Sequence, residues 1–419
     1  MNTDPNTSSN GQGATGSGRT LLIFSQVYPP DPASVGQHMH DAAKEMASRG
    51  WNVRVIAADR GYDDPTRKYE SGEVMDGVRV TRVPWASFGK ATIAKRAIGM
   101  ITFMLWCLGY GLFGKKPDFL LASTSPPLCG FAAAIIHTLR GVPFLYWVMD
   151  LNPDQLIALG KTKDGSPPVR FANWMQRFIL KRAKVVVPLD RFMLERLNKK
   201  LDVTAKSEIL PPWPHEDSLE LVQHEDNWFR DKQNLQGKTV FMYSGNHGFS
   251  TPVDTMMDAA VKVAKDERAH FMFIGGGVRK KEVDERLERE KPANANTLPY
   301  QPMKDLRYSL SAADVHMVTM ESEVVGIVHP CKIYGAMAVG RPILLLGPTP
   351  CHASDILEGE GVGWQVGPED SEGAAKIVRE VLETPREKLE EMGRTARRLV
   401  DEKYSKRSLC GRFCDLMER

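Results

Sequence analysis

The stretch Met317–Leu346, MVTMESEVVGIVHPCKIYGAMAVGRPILLL, constrains the fold of this chain more than any other. It reads as an apolar strand (Met317–Met320), a loop, a helix from Pro330 to Val339, and a second buried strand (Pro342–Leu346). Pro330 suits the first turn of a helix, and Gly340 suits its left-handed exit. A helix that starts just outside the carboxyl end of a parallel strand gathers unpaired N–H groups and the positive end of its dipole. Lys332, in the first turn, opposes that dipole, which makes sense if an anion such as phosphate lies between them. The same residues also suit an ordinary strand–helix–strand unit with a solvent-facing lysine.

The unit recurs along the chain. Strand Thr20–Gln26, a proline-rich loop, a helix from about Gln37 to Arg49 and strand Asn52–Ala57 follow one another within some forty residues, which predicts a right-handed parallel crossover. Asp118–Ala122, Pro143–Val148 and Lys184–Val187 read as further strands of that sheet. The pattern restarts at Lys238–Ser244 and continues with helix 252–265, strand His270–Ile274, helix 279–290 and strand Val315–Met320. Helices Ala374–Leu382 and Pro385–Val400 close the second half. The expected class is therefore α/β, with two Rossmann-like domains facing a central cleft. The segment 1–18 is polar and Gly/Ser/Asn-rich, a disordered leader without the apolar core of a signal peptide. Residues 19–210 form the expected first domain, 211–236 the linker and 237–405 the second domain, with 406–419 a terminal helix. A chain of 419 residues with 42% hydrophobic content has enough material for two cores. Its formal net charge of +3 gives no reason to expect nucleic acid as a partner. The six cysteines lack metal-ligand spacing and are expected to be free thiols of a reducing compartment.

Ligands of such sheets bind at the carboxyl ends of the strands. Gly36, in the loop after the first strand, lets backbone approach a ligand, or opens a structural helix. Asp150 follows the buried strand FLYWV and is placed to orient a hydroxyl or take its proton; as a plain alternative it caps a helix. Asp154 is the second carboxylate candidate and the better capper. In the second half, Gly245 and Gly248 bracket Asn246 and His247 in a turn whose N–H groups suit an anion nest. Gly275–Gly277 forms a further tight turn.

The pattern G-x-V-x-P-C-K-x-Y-x-x-M-A-x-G-R-P-I-L at Gly326–Leu344 resembles the donor segment of family-4 retaining glycosyltransferases, in the bacterial branch that builds O-antigen, capsule and colanic acid. The resemblance runs from about residue 20 to 405. It implies the GT-B architecture, with the 406–419 helix returning toward the first domain, and transfer of a hexose or aminosugar from a nucleotide-diphosphate sugar. No further cofactor is implied. The acceptor implied is a glycan or a polyprenyl-linked glycan. Donor contacts are expected from Gly245, Asn246, His247, Tyr300, Pro330, Lys332 and Ile333, acceptor and phosphate contacts from the Gly36 loop, and catalytic work from Asp150 and Asp154. Two glutamates usual in the family are replaced by Ile327 and Gly335, with Glu321 and Glu323 upstream as candidate substitutes. No Asp-x-Asp motif sits where it would chelate a metal, so metal-independent transfer is expected. Two other readings stay open: a non-catalytic scaffold of a polysaccharide-assembly complex, and a nucleotide-sugar epimerase.

Ala97–Phe113 is a run of seventeen uncharged residues between Lys95-Arg96 and Lys115-Lys116. It is short for a bilayer span and suits an interfacial helix on anionic lipid, or a helix covered by its own domain. The first of these places the protein at the inner face of the cytoplasmic membrane through residues 95–116.

Overall fold

The computed structural model describes residues 18–419 except 32, 63, 90–91, 215–218, 249–250 and 252. The proposed leader, apart from Gly18, lies outside the described residues.

Two sheets organise the chain. The first has seven strands: β1 (Thr20–Phe24), β2 (Asn52–Ala58), β3 (Val74–Met75), β4 (Val78–Val83), β5 (Phe119–Ser123), β6 (Phe144–Val148) and β7 (Val185–Pro188). Their order is β3-β4-β2-β1-β5-β6-β7, parallel except for the β3–β4 hairpin at the edge. The second has six strands: β8 (Thr239–Asn246), β9 (Ala269–Gly276), β10 (Ala295–Leu298), β11 (Val315–Thr319), β12 (Ile343–Leu346) and β13 (Gly363–Val366), in the order β10-β9-β8-β11-β12-β13. Leaving aside the hairpin strand, both sheets follow the same doubly wound order. The expected two-sheet α/β architecture is thus the observed one. In each sheet the order reverses beside the first strand, between β1 and β5 and between β8 and β11. Loops diverge there and leave a crevice at the carboxyl ends.

The strands are buried on both faces, as parallel strands covered by helices must be. Leu21–Phe24, Leu120–Ala122 and Phe144–Val148 are all at most 2% exposed. The Lys406–Glu418 helix returns to the first half. Arg49 holds Asp415 at 2.7 Å and Glu418 at 2.8 Å, and Phe413 lies 4.5 Å from the Trp147 ring.

The Ile93–Phe113 helix is longer than the apolar run suggested, because Thr92 caps it upstream. Phe103, Cys107 and Gly111 form its inner stripe, and the helices approach closely there: a Cβ on Gly111 would come 2.2 Å from Ile136 Cδ1 on the neighbouring helix. Ile98, Ile101 and Leu105, on the opposite stripe, are 48–58% exposed, and Phe113 is 90% exposed.

Candidate active site

The floor at the carboxyl ends of the second sheet is built from glycine. β8 and β9 run side by side to the pairs Gly245↔Gly275 and Asn246↔Gly276. Gly245, Gly275 and Gly277 have φ of 143°, 134° and 125°, conformations that side chains rarely tolerate. A Cβ on Gly275 would fall 1.9 Å from the Gly245 carbonyl oxygen, and one on Gly277 would fall 2.3 Å from Asn246 Oδ1. The two strand ends therefore meet backbone to backbone, at the point where the second sheet reverses.

Lys332 crosses this floor. A Cβ on Gly245 would lie 2.4 Å from Lys332 Cε, and the ammonium sits 5.0 Å from the centre of the Tyr243 ring. The structure thus brings Lys332 and the Gly245 turn together across 87 residues of sequence. Asn246 is exposed at the end of β8, its carbonyl accepting a 2.8 Å bond from the Tyr243 hydroxyl. His247 is fully buried with its ring against Tyr243, 4.7 Å between centres, and neither ring nitrogen has a hydrogen-bond partner. Burial, with the charges of Lys280 and Lys332 nearby, lowers its pKa to about 4, so the ring is neutral at pH 7.

The helix behind Pro330 is shorter than expected. It spans Lys332–Ala338, with Pro330 and Cys331 in a tight turn before it. The N–H groups of Cys331, Ile333 and Tyr334 are already bonded to the carbonyls of His329, Pro330 and Cys331 at 2.9–3.2 Å. Few donors remain for an anion, and seven residues make a weak dipole. The positive charge available here resides in the Lys332 ammonium. Pro330 and the Ile333 side chain are buried.

Asp150 stands across the cleft, in the turn after β6. Thr124 Oγ1 accepts the N–H groups of Met149 and Asp150 at 3.0 and 3.1 Å and so fixes that turn. The next residue, Leu151, donates to the Ile327 carbonyl at 3.0 Å, joining the turn to the loop that leads into Pro330. Desolvation raises the Cys331 thiol, and the charge of nearby Asp150 adds to it. Burial raises the Asp150 carboxyl to about 6, the range in which a carboxylate exchanges protons near neutrality.

Other candidates lie apart from this pair. Asp154 opens a short helix and its carboxylate is taken by Lys200, whose ammonium also bonds Asn173 at 3.0 Å and Gln176 at 2.5 Å. Gly36 lies inside the first turn of the Ser34–Ser48 helix, where a Cβ would come 2.9 Å from the Val27 carbonyl oxygen. Its absent side chain lets the loop after β1 pack on that helix. Tyr300 is 59% exposed and its ring covers Gly276, where a Cβ would meet Tyr300 Cε2 at 2.9 Å. Glu323 is exposed and lines a pocket of about 440 Å³ with Glu321, Glu369 and Asp370. Burial, and then the Glu323 charge, raises the Glu321 carboxyl.

Sequence reading missed Thr124, and it missed a hydrogen-bonded chain Asp190–His329–Tyr334–His352 beside the Lys332 helix. His329 directly precedes Pro330, and that adjacency was the one available signal.

Comparison with known proteins matches this geometry. Residues 34–213 match the glycosyl transferase 4-like domain, and residues 224–399 match glycosyl transferases group 1. With the two doubly wound sheets, these matches define a glycosyltransferase of the GT-B class. The chain is 26% identical over 291 residues to a probable glycosyltransferase, WbjE, of Pseudomonas aeruginosa, covering 70% of this chain and 72% of that one. It is 23% identical to the putative colanic acid biosynthesis glycosyl transferase WcaI of Escherichia coli K12, over 87% of this chain and 93% of the relative. Among solved structures, the sucrose-phosphate synthase of Thermosynechococcus elongatus superposes with a TM-score of 0.75 at 14% identity, covering 96% of this chain and 98% of that one. Anabaena Alr3699/HepE, solved in complex with UDP and glucose, gives 0.70 at 14% identity, over 96% and 99%.

Proposed function

We propose that this glycosyltransferase moves a hexose or aminosugar from a nucleotide-diphosphate sugar to a glycan or polyprenyl-linked acceptor during cell-surface polysaccharide synthesis. The observation that carries the reading is Lys332 lying across the Gly245 turn at the switch point of the second sheet. A diphosphate resting on that turn approaches bare backbone and meets one ammonium. As the bond to the donor sugar breaks, the leaving diphosphate gains charge, and Lys332 stabilises it without a metal. Tyr300 and the Gly275–Gly277 turn offer a flat aromatic face and a backbone edge for the nucleoside. The acceptor hydroxyl enters from the first sheet, where Asp150 orients it and receives its proton. We extend the proposal to retention of anomeric configuration, on the resemblance of the Gly326–Leu344 pattern to retaining enzymes. The names of WbjE and WcaI, and UDP and glucose bound to HepE, support the same reading.

The acceptor side also suggests where the enzyme works. Within the Ile93–Phe113 helix the 20-residue stretch Ala94–Phe113 has mean hydropathy 1.4, long and apolar enough to cross a membrane, and 22% of its 18-residue apolar window is buried. Its inner stripe is packed on its own domain, so a span would have to abandon those contacts. The exposed stripe Ile98, Ile101 and Leu105, with Lys95, Arg96, Lys115 and Lys116 at the ends, suits a helix lying in the headgroup region of the inner leaflet. We therefore assign the protein to the cytoplasm, peripheral to that membrane face.

Calorimetric titration with UDP-, GDP- and dTDP-sugars, paired with assay of donor hydrolysis and transfer, tests the function. Binding of one donor with slow hydrolysis is expected. Binding with exchange at C2 would indicate an epimerase instead, and binding of none would leave a scaffold.

A further inference from the structure

We infer that Asp190 and His329 form a latch between the two halves of the molecule that positions the Lys332 turn for donor binding; the inference rests on the donor-site reading above. His329 lies three residues before Lys332, and its carbonyl accepts the Cys331 N–H at 2.9 Å. Its Nδ1 is 2.8 Å from Asp190 Oδ2, and the two side chains are 1% and 2% exposed. Asp190 follows β7 in the first half, and its other oxygen accepts the Met193 N–H at 2.8 Å, capping the Arg191–Lys200 helix. Burial by itself would raise the Asp190 carboxyl, but the bond from His329, the nearby imidazoles and the Met193 N–H outweigh it and hold the group below its ordinary value. An ionised carboxylate only accepts, so His329 Nδ1 is the donor.

The far side of the ring is held too. His329 Nε2 is 2.8 Å from the Tyr334 hydroxyl, which is 2.8 Å from His352 Nε2. Burial pushes the Tyr334 hydroxyl well up and His352 down to about 3, so both are neutral at pH 7. With the ring proton on Nδ1, Nε2 of a neutral His329 accepts from the Tyr334 hydroxyl, and that oxygen accepts from His352 Nε2–H, so every partner is satisfied. His329 is thereby clamped between Asp190 of the first half and Tyr334 of the Lys332 helix. Asp190, His329 and His352 also bring ligand atoms within 4.8 Å of one another, as a metal site would. Yet His329 spends Nδ1 on Asp190 and Nε2 on Tyr334, and His352 Nε2 is taken by the same hydroxyl, so hydrogen bonds account for the cluster.

The other contacts of this region point the same way. Arg196 donates to the Val325 carbonyl at 2.5 Å, Leu151 donates to that of Ile327, and a Cβ on Gly326 would meet the Phe192 carbonyl oxygen at 2.5 Å. The segment 323–329 is moulded on the first half and runs directly into Lys332. When the halves part, that support is lost. If donor binds the closed form, weakening the latch lowers the closed fraction and raises the apparent dissociation constant in proportion.

Three variants test this. Asp190→Ser keeps a helix-capping oxygen but falls short of His329. His329→Leu removes the donor, and His329→Asn keeps an amide N–H where Nδ1 was. Affinity for UDP is measured by calorimetry and the radius of gyration by small-angle scattering, with circular dichroism confirming the fold. Asp190→Ser and His329→Leu should weaken UDP roughly ten- to hundred-fold and expand the unliganded protein, as for loss of a charge-assisted hydrogen bond. His329→Asn should restore both to near wild type. Wild-type affinity and size in Asp190→Ser, equal loss in all three variants, or one equivalent of zinc in the purified protein would each overturn the latch. If wild type binds none of UDP, GDP and dTDP, the donor reading fails, and the scattering comparison still decides the latch; if it binds GDP or dTDP instead, that nucleotide replaces UDP in the test.

Discussion

Replacing Asp150 by asparagine should make the protein more stable and less active at once. Burial raises this carboxyl from 3.8 to about 6. The folded state therefore holds a proton more tightly than the unfolded chain does. Its contribution to stability is fully present below about pH 4 and is lost as pH rises through 6. A shift of about two pH units, at roughly 1.36 kcal/mol each, sets a ceiling near 3 kcal/mol for the cost of the ionised group at pH 7.5. Asp150 keeps some contact with solvent, so a gain of about 1–3 kcal/mol is expected for Asp150→Asn. The asparagine preserves the backbone bonds to Thr124, which do not involve the carboxylate. Urea unfolding of both proteins at pH 4, 5.5 and 7.5 measures the difference, which should grow from near zero to its full value. Turnover of the variant should fall about 10²–10⁴-fold with donor affinity nearly unchanged, and wild-type turnover should rise through about pH 6 as the base ionises. A stability gain independent of pH would refute the buried-carboxylate reasoning. Wild-type turnover in the variant would refute the catalytic role.

Lys332→Ala should weaken UDP binding about ten- to hundred-fold, whereas Lys304→Ala, on an exposed turn, should leave it unchanged; equal affinities would remove the phosphate role. Gly245→Ala places a Cβ against Lys332 in a backbone conformation that glycine favours, so UDP affinity should fall together with about 1–3 kcal/mol of stability in urea unfolding. Lys200→Met leaves the half-buried Asp154 without its cation and should cost about 1–3 kcal/mol in the same assay, with the donor site unaffected. Vesicles containing anionic lipid should float the protein at low salt and release it as salt rises. Charge reversal at Lys95, Arg96, Lys115 and Lys116, each contributing about 1 kcal/mol toward the membrane, should abolish flotation. A protein that resists salt and needs detergent would instead have its helix in the bilayer.

The features legible in the sequence are those written over short distances. Gly340 adopts φ 61° where the pattern demanded a left-handed exit, and β12 follows it directly. Alternating strand and helix signals led to two parallel sheets, because a parallel crossover leaves the chain few other routes. The edge hairpin escaped: β3 is a two-residue strand with no periodicity to read, whereas β4, VRVTRV, carries an alternation that the sequence analysis passed over. The placement of Gly245 and Asp150 at the carboxyl ends of strands was legible for the same reason that the sheets were.

Tertiary structure decided which of those edge groups face one another and what each is paired with. Asp154 is captured by Lys200, 46 positions later, and His329 by Asp190, 139 positions earlier. His247 has the composition of a phosphate-loop residue, yet it lies beneath the floor because Tyr243 offers its ring there. Pro330 suits a helix start by itself. The segment before it is pinned to the first half, however, and regular helix begins only at Lys332. Hydrophobic period, caps and turns act within a few residues and can be read in order along the chain. Burial and pairing of charge depend on which strand ends the two sheets bring together, and no local pattern records that.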